Sequence, residues 1–324
     1  MSCFLAFIDF FMREPWRDIA NCLTIRVKKG IIVKWRIRKA RHINIKKDVN
    51  CVNLEILLSC MHQNDFSIIT KSSIISNAII INQCDKNDYS EQNYKNKIIR
   101  MISTIERGLS KSRNMAVSNS TGDICLICDD DESFIDGYES IIIDSYKEID
   151  DADIIAFKIV NIPKKLKNKT SRINYFSALR LSSWQISFKR KSILDKNIKF
   201  DELLGAGTGH GAQEENKFLI DCLKKGLKIY YVPKEIATVS QNESTWFKGY
   251  DKKYFINRGA ATRYMMGFCL SFLYGSYFII TKRNLYKRDL SSVKALYYLY
   301  KGIFSNYIAK IKNSEELKNK NGDG

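Results

Sequence analysis

Short apolar runs alternate with stretches of helical periodicity between residues 51 and 250. Continuous apolar runs at 52–60, 77–84, 124–128 and 152–160 are typical of strands buried on both faces of a sheet. Further strands are predicted at 96–104, 181–190 and 228–233, and helices at 108–123, at 137–149 and after the glycine-rich stretch that begins at Gly205. Strands that alternate with helices predict a layered α/β fold.

The same pattern divides the chain into three parts. Residues 1–50 show no partner pattern and are interpreted as a basic appendage, whereas 51–250 form the α/β domain and 251–324 are mainly helical. Only three prolines and sixteen glycines occur in 324 residues, which favours regular elements with few long linkers.

Charge is concentrated at the two ends of the chain. Residues 1–50 hold twelve Lys/Arg against four Asp/Glu, a net charge of +8, and 251–324 hold fourteen against five, a net charge of +9. Because the whole chain has a net charge of +18, residues 51–250 carry only +1. Basic flanks favour nucleic acid or an anionic membrane surface. The aromatic and aliphatic residues between these charges favour lipid headgroups. Helices packed on the core with a solvated basic face remain an equal alternative.

Cysteine usage and hydropathy favour a cytoplasmic protein. Nine scattered cysteines indicate reduced thiols, and Cys125 and Cys128 lie within a predicted strand without a second pair at zinc-site spacing. The first twelve residues lack the basic region and cleavage site of a signal peptide. The apolar stretch 264–280 falls short of about 20 strongly apolar residues, so we expect it to be interfacial or buried.

Three aspartates and a glutamate follow the apolar run 124–128. In α/β sheets, ligands bind at the carboxyl ends of the strands. Carboxylates at alternate positions can face the same way, so Asp129 and Asp131 could share Mg²⁺ or Mn²⁺ with a nucleotide diphosphate. We expect Asp130 and Glu132 to brace the loop or face water. A solvated turn, or acids favoured by a helix N-terminus, is the alternative.

The segment "ERGLSKSRNMAVSNSTGDICLICDDDE" resembles glycosyltransferase family 2, the inverting enzymes of the GT-A fold. The resemblance covers roughly 52–250 and includes "EILLSCMHQNDF" and "IIINQCD", which are similar to bacterial capsular and exopolysaccharide biosynthesis members. It implies a Rossmann-like, nucleotide-sugar-binding mixed sheet flanked by helices, here followed by a helical, basic C-terminal region.

The resemblance also implies a donor site. Its nucleotide-sugar-binding residues would be Ser59, Met61, Gln63, Asp85, Arg113, Asn114, Asp129 and Asp130, and its metal ligands Asp129 and Asp131. The family's usual first loop is replaced by "CMHQN", so the tyrosine that stacks on the base is missing. The histidine that completes the metal site in many members is also missing, and Ser240 and Gln241 stand in its neighbourhood.

An acidic pair matches the catalytic position of the family. Glu215 is the implied general base and Glu214 its neighbour, because a sugar hydroxyl needs a carboxylate to accept its proton. Acids favoured by a helix dipole are the alternative interpretation. The implied acceptor-binding residues are Gly209, His210, Ser244, Thr245 and Trp246. For His210, a solvent-exposed loop residue is the alternative.

Together these features predict an inverting glycosyltransferase on the inner face of the cell membrane. It would use Mn²⁺ or Mg²⁺ to move a sugar from a nucleotide donor, UDP by preference, to a saccharide or lipid-linked saccharide. An inactive family member that acts as a partner subunit is the alternative, because the first loop and the histidine depart from the family pattern. The high positive charge also allows a nucleic-acid-binding protein, although the acidic cluster would repel phosphates without a metal.

Overall fold

The computed structural model describes residues 52–162, 166, 168–205, 208, 213–240 and 249–312. The predicted basic appendage 1–50 lies outside the described residues. The strands are β1 Leu54–Met61, β2 Asn77–Gln83, β3 Asp88–Tyr94, β4 Lys97–Thr104, β5 Ile124–Asp129, β6 Glu132–Phe134, β7 Ile154–Ile159, β8 Ser171–Arg172, β9 Ile186–Lys189 and β10 Ile229–Val239.

Helices lie between these strands and after the last of them. They are α1 Ser67–Lys71, α2 Leu109–Asn119, α3 Tyr138–Glu148, α4 Tyr175–Ala178, α5 Arg190–Asp195, α6 Glu214–Lys224, α7 Lys252–Met266, α8 Phe268–Thr281, α9 Arg283–Tyr286 and α10 Ser292–Ser305. A short 3₁₀ turn covers Ser183–Gln185, immediately before β9.

One mixed sheet contains all ten described strands. Its order is β3-β4-β2-β1-β5-β9-β7-β10-β6, with β8 paired to β10. The neighbours β4, β2, β1 and β5 are parallel, whereas β9 is antiparallel to both β5 and β7. The predicted mixed sheet flanked by helices is therefore confirmed.

Both faces of the sheet are covered, which explains the continuous apolar runs. Along β5, Leu126 and Cys128 contribute to one core, and Cys125 and Ile127 contribute to the other. The first core is closed by α1 and α3, and the second by α2, α5 and α6. Side chains of alternate strand residues point to opposite faces, so a strand covered on both sides must be apolar throughout.

The structure differs from the sequence prediction at several strands: β3, β6 and β8 were not predicted, and the predicted strand 181–190 is shorter than expected. Strand β3 was not predicted because it is a polar edge strand with mostly exposed residues. It pairs with β4 in a hairpin whose turn residues, Lys95 and Asn96, have φ of 51° and 62°, as the tight hairpin turns require. The alternating run 181–190 forms the 3₁₀ turn followed by the short strand β9.

The predicted helical, basic C-terminal region is confirmed by α7 to α10. Helices α7 and α10 cross closely: a Cβ added to Gly259 would lie 2.0 Å from the carbonyl oxygen of Leu299, and one added to Gly302 would lie 2.0 Å from that of Ile256. A separate apolar core around Phe255, Leu299 and neighbours stabilises these helices. Within the described part of the chain, every helix is too short or too polar to cross a membrane.

Candidate active site

Four parallel strands deliver polar side chains to one edge of the sheet. Strands β1, β2, β4 and β5 all end there, and Ser59 of β1 lies opposite Asp129 of β5 in the strand register. Helix α2 begins shortly after β4, so its first turns approach the same edge. The Ser112 hydroxyl of α2 lies 2.8 Å from that of Ser59.

Arg113 joins the two acidic segments of the site. Its Nη2 donates to Asp129 Oδ1 and Oδ2 at 2.9 and 3.1 Å, and its Nη1 donates to Glu214 Oε1 at 2.9 Å. The guanidinium is buried. Burial alone would lower the pKa of Arg113, but the charges of Asp129 and Glu214 raise it above its ordinary value. Arg113 is therefore a fixed cation between two carboxylates that are distant in sequence.

Ser183 is a further partner of Asp129. Its hydroxyl donates to Asp129 Oδ2 at 2.9 Å. The contact arises because β9 runs antiparallel to β5, which places the preceding 3₁₀ turn beside the end of β5. Both oxygens of Asp129 thus accept hydrogen bonds, and the orientation of its side chain is fixed from two sides.

The next two aspartates are only partly compensated. Burial, and then the charge of Asp129, raise the pKa of Asp130. The pKa of Asp131 is raised by burial and then by the charges of Asp129 and Asp130. Lys71 Nζ donates to the backbone oxygen of Asp130 at 3.0 Å. The buried Oδ1 of Asp131 has no hydrogen-bond partner among the described residues. This part of the site favours an additional positive charge.

Glu132 does not face water, which was one of the two expectations for this residue. Its side chain is buried, because β6 pairs with β10 and turns Glu132 inward, to the same side as Phe134. Burial, and then the charge of Asp129, raise the pKa of Glu132 well above its ordinary value. Cys128 and the backbone of Asp129 lie near it, but among the described residues no contact to its oxygens has hydrogen-bond geometry. Burial therefore favours the protonated form of Glu132.

The residues of this edge fit a divalent cation that shares its ligands with a substrate. The described residues contain no cluster of three or more His, Cys, Asp or Glu side chains that could hold a metal alone. Mg²⁺ is commonly bound through one or two carboxylates together with substrate phosphates. The unpartnered oxygen of Asp131 meets that requirement.

Glu214 and Glu215 begin α6 on the other side of Arg113. Glu214 is buried and held by its ion pair. Glu215 is partly buried, and burial followed by the charge of Glu214 raises its pKa to about 8. A carboxylate with a pKa near neutral can accept a proton and release it again at physiological pH.

Asn114 braces the polypeptide that leads to this acidic pair. Its Nδ2 donates to the backbone oxygen of Phe200 at 2.9 Å, and its Oδ1 accepts from the Phe200 N–H at 2.8 Å. Nearby, Ser110 Oγ donates to the backbone oxygen of Leu204 at 2.8 Å. At Gly205, which has φ of 110°, an added Cβ would lie 3.1 Å from Ser110 Oγ. Helix α2 thus holds the segment 200–205 as well as Asp129.

The residues expected near the base and ribose lie at the ends of β1 and β2. The backbone N–H of Gln63 donates to Asn82 Oδ1, and Asn82 Nδ2 donates to the backbone oxygen of Gln63. Gln63 Nε2 donates to the backbone oxygen of the half-exposed Met61. Asp85 is exposed and accepts from Arg107 Nη2 at 2.6 Å. These contacts shape an open polar rim beside the carboxylates.

The acceptor half of the site falls mostly outside the described residues. Gly209, His210, Ser244, Thr245 and Trp246 all lie there, as does Gln241, so these assignments stay predictions. Ser240, in the neighbourhood where the family histidine was expected, donates its backbone N–H to the Asp131 backbone oxygen at 2.9 Å. Its hydroxyl also donates to that oxygen, at 3.3 Å, so Ser240 contacts the acidic loop through both its backbone and its side chain.

Sequence reasoning missed Ser183, Asn82 and Arg107. No motif marks Ser183, since its role depends on the antiparallel pairing of β9 with β5, which the alternating pattern of 181–190 does not reveal. Asn82 is a buried amide at the end of an apolar strand, and that contrast was an available signal. Arg107 lies within the family-like segment, directly before Gly108, and its ion pair depends on the approach of β2 and β4.

Comparisons with known proteins show what the chain is similar to. Residues 67–211 match the family model described as glycosyl transferase family 2. The fold is similar to that of S. aureus TarS 1–349 in complex with UDP-GlcNAc, at 13% identity and a TM-score of 0.50 over 78% of this chain and 71% of that chain. The same fragment in complex with UDP matches at 12% identity and a TM-score of 0.52, over 82% and 91%. No curated protein matches the sequence significantly.

Residues 67–211 are therefore similar to glycosyl transferase family 2, and the fold of the chain is GT-A-like. The matched segment begins at α1 and includes α2, β5 and β9, so the family match and the architecture agree. The protein is a glycosyltransferase.

Proposed function

We propose that this protein is an inverting glycosyltransferase that moves a sugar from a UDP-linked donor to a saccharide or lipid-linked saccharide of a bacterial surface polysaccharide. The observation that carries the proposal is the Arg113 bridge. It brings Asp129, at the strand end where the family binds nucleotide sugars, together with the acidic pair at the start of α6. The UDP ligands of the TarS structures support the choice of nucleotide.

The donor would bind along the edge formed by β1, β2 and β5. Ser59, Met61, Gln63 and Asp85 would contact the nucleoside. Asp131, with Asp129 beside it, would hold Mg²⁺ or Mn²⁺ together with the diphosphate. The bound cation would compensate the charge that develops on the departing nucleotide.

Proton transfer is assigned to Glu215. As the acceptor oxygen forms its bond to the anomeric carbon, the bond from that carbon to the diphosphate breaks, and the hydroxyl proton passes to the Glu215 carboxylate. A single displacement of this kind inverts the anomeric configuration. Glu214 is held by Arg113, so its charge is compensated, whereas the described residues give Glu215 no ion pair. Arg113 and Ser183 keep Asp129 in place and act as positioning residues.

The location proposed for this reaction is the inner face of the cell membrane. Twelve Lys/Arg in residues 1–50 and fourteen in 251–324 favour an anionic lipid surface. A peripheral enzyme there would meet cytoplasmic UDP-sugars and a lipid-linked acceptor at the same surface.

A panel of UDP-sugars tests the proposal. Full-length protein with Mn²⁺ should release UDP from at least one donor when a lipid-linked saccharide acceptor is added, and Glu215→Gln should retain UDP affinity while losing release. Binding of UDP without any turnover over the panel would favour an inactive partner subunit. Salt-sensitive retention of DNA or RNA without UDP binding would favour a nucleic-acid-binding protein.

A further inference from the structure

Helix α8 exposes a continuous set of large apolar side chains. Its fourteen residues include no charged side chain. Ser271, Gly275, Phe278 and Ile279 are buried against the neighbouring helices. The opposite side of α8 carries the exposed side chains Leu270, Leu273, Tyr277 and Ile280, and the exposed rings of Phe268 and Phe272 lie beside α10. Ile280 is 66% exposed.

Helix α10 continues this apolar surface. Val293, Tyr297 and Phe304 are 79%, 61% and 65% exposed. The two helices meet through rings: Phe304 lies 5.4 Å from Phe268 between centroids, and Tyr300 stacks on Phe272 at 4.3 Å. The exposed apolar side chains of α8 and α10 therefore form one surface, which we call the α8–α10 face.

The side chains of the α8–α10 face do not belong to the buried core that packs these helices together. Phe255, Phe278, Leu299 and Ile303 already form a buried core between α7, α8 and α10. Contiguous exposed apolar surface on a folded protein marks a site of contact with a membrane or another protein. The α8–α10 face therefore marks a contact site for a membrane or another protein.

Basic residues surround the face. Residues 252–312 contain twelve Lys/Arg and a single acid, Asp289. The Arg263 guanidinium lies 4.7 Å from the Phe268 ring centroid at the start of α8. Exposed Lys282 and Arg283 follow the end of α8, and Lys294 and Lys301 flank the exposed rings of α10. A second copy of the chain would place like charges against one another in a two-fold dimer, whereas anionic lipid would neutralise them.

We propose that the α8–α10 face docks on a bilayer that contains anionic lipids. The apolar side chains enter the headgroup–acyl boundary, and the surrounding lysines and arginines contact lipid phosphates, as in interfacial helices that lie in the membrane plane. The proposal rests on the peripheral membrane association proposed above and assigns it to particular side chains.

Vesicle co-sedimentation of the full-length protein tests this assignment. The protein should pellet with phosphatidylcholine vesicles that contain phosphatidylglycerol, and far less with phosphatidylcholine alone. The double substitution Leu273→Asp with Ile280→Asp should weaken partitioning about tenfold or more, because it places charge in the apolar boundary. The single substitutions Lys282→Gln and Lys294→Gln should each weaken it about fivefold and reduce its dependence on salt.

The matched control is Ile98→Asp, which places the same charge at another half-exposed isoleucine, on β4. It should bind vesicles as the unsubstituted protein does. Equal partitioning of the Leu273/Ile280 variant and the control would overturn the proposal. So would a dimer in solution that the same double substitution converts to monomer without any vesicle binding.

A second measurement separates this proposal from the proposed enzymatic function. UDP affinity in vesicle-free solution, measured by calorimetry, should be unchanged in the Leu273/Ile280 variant. Intact UDP affinity with lost vesicle binding supports the docking face. Vesicle binding without any UDP binding would leave the docking face in place and contradict the enzymatic proposal.

Discussion

Arg113 connects the charged groups of the site, because it forms ion pairs with both Asp129 and Glu214. A buried cation with two buried or half-buried acids is costly to disrupt, because the loss of one partner leaves the others without compensation. Its value for the site lies in geometry, since a planar guanidinium can hold two carboxylates at fixed angles. Lysine would provide one point charge in place of this fork.

Arg113→Met should therefore lower the free energy of unfolding by about 3–5 kcal/mol, since it leaves Asp129 and Glu214 unpaired. Urea unfolding followed by far-ultraviolet circular dichroism provides the measurement. Adding Glu214→Gln to Arg113→Met should recover part of the loss, because the two residues are coupled. The exposed Arg172→Met is the control and should change stability little. A loss no greater than that of Arg172→Met would contradict the bridging role.

The raised pKa of Glu215 predicts how the rate of sugar transfer depends on pH. Burial and the neighbouring charge of Glu214 raise its pKa to about 8, and only the deprotonated form can accept a proton. The rate under subsaturating acceptor should rise about tenfold per pH unit below that value and become level above it. Initial rates across this range test the expectation, with buffers matched in ionic strength.

Glu215→Gln removes the group that titrates. Transfer should fall about 10²-fold or more and lose its rising pH limb, while UDP affinity stays unchanged. The exposed Glu148→Gln, on α3, is the control and should keep both rate and profile. A variant that retains the rising limb would assign the titration to another group, with Glu214 as the first alternative.

At the scale of elements, the close crossing of α7 and α10 depends on two glycines. A methyl group at Gly302 would collide with the backbone of Ile256 rather than with a movable side chain. Gly302→Ala should therefore lower stability by about 1–3 kcal/mol despite the higher helix propensity of alanine. Chemical denaturation measures the effect. The exposed neighbour Lys301→Ala has no such contact, and a smaller loss for Gly302→Ala than for Lys301→Ala would rule out the close crossing.

The elements that could be predicted from sequence share a physical property. Strands β1, β2, β5 and β7 are covered on both faces, so their apolar runs stand out from the polar segments around them. Strand β3 is an exposed edge, and its polar sequence carries no such contrast. Its only signal was the turn at Lys95 and Asn96, whose left-handed conformations suit a hairpin.

The same limit applies to the candidate site. Asp129 and Asp131 could be located because they follow an apolar strand, and the acidic pair because it follows a glycine-rich segment. The contact of Ser183 with Asp129 and that of Arg113 with Glu214 could not be derived. They join residues 54 and 101 positions apart and depend on how β9 and α6 pack beside the parallel strands.

At the scale of the whole molecule, ligand binding at the sheet edge is linked to the stability of the entire chain. A ligand that binds only the folded state stabilises it by RT ln(1 + [L]/Kd), about 2.7 kcal/mol at a hundredfold excess over Kd. The carboxylates of Asp130 and Asp131 repel one another and are partly buried, so a diphosphate should bind poorly without a cation. Donor and metal should therefore stabilise the fold cooperatively.

UDP with Mn²⁺ should raise the unfolding temperature by more than the sum of the shifts that UDP and Mn²⁺ each produce alone, and chelation by EDTA should remove the excess. Asp131→Asn should abolish this excess, because it removes the carboxylate whose oxygen is unpartnered. Asp144→Asn, an exposed carboxylate on α3, is the matched control and should preserve it. Differential scanning calorimetry over a series of UDP concentrations gives the shift and its saturation. An additive shift in the unsubstituted protein would contradict a shared metal–diphosphate site, and an unchanged excess in Asp131→Asn would move the cation to another ligand.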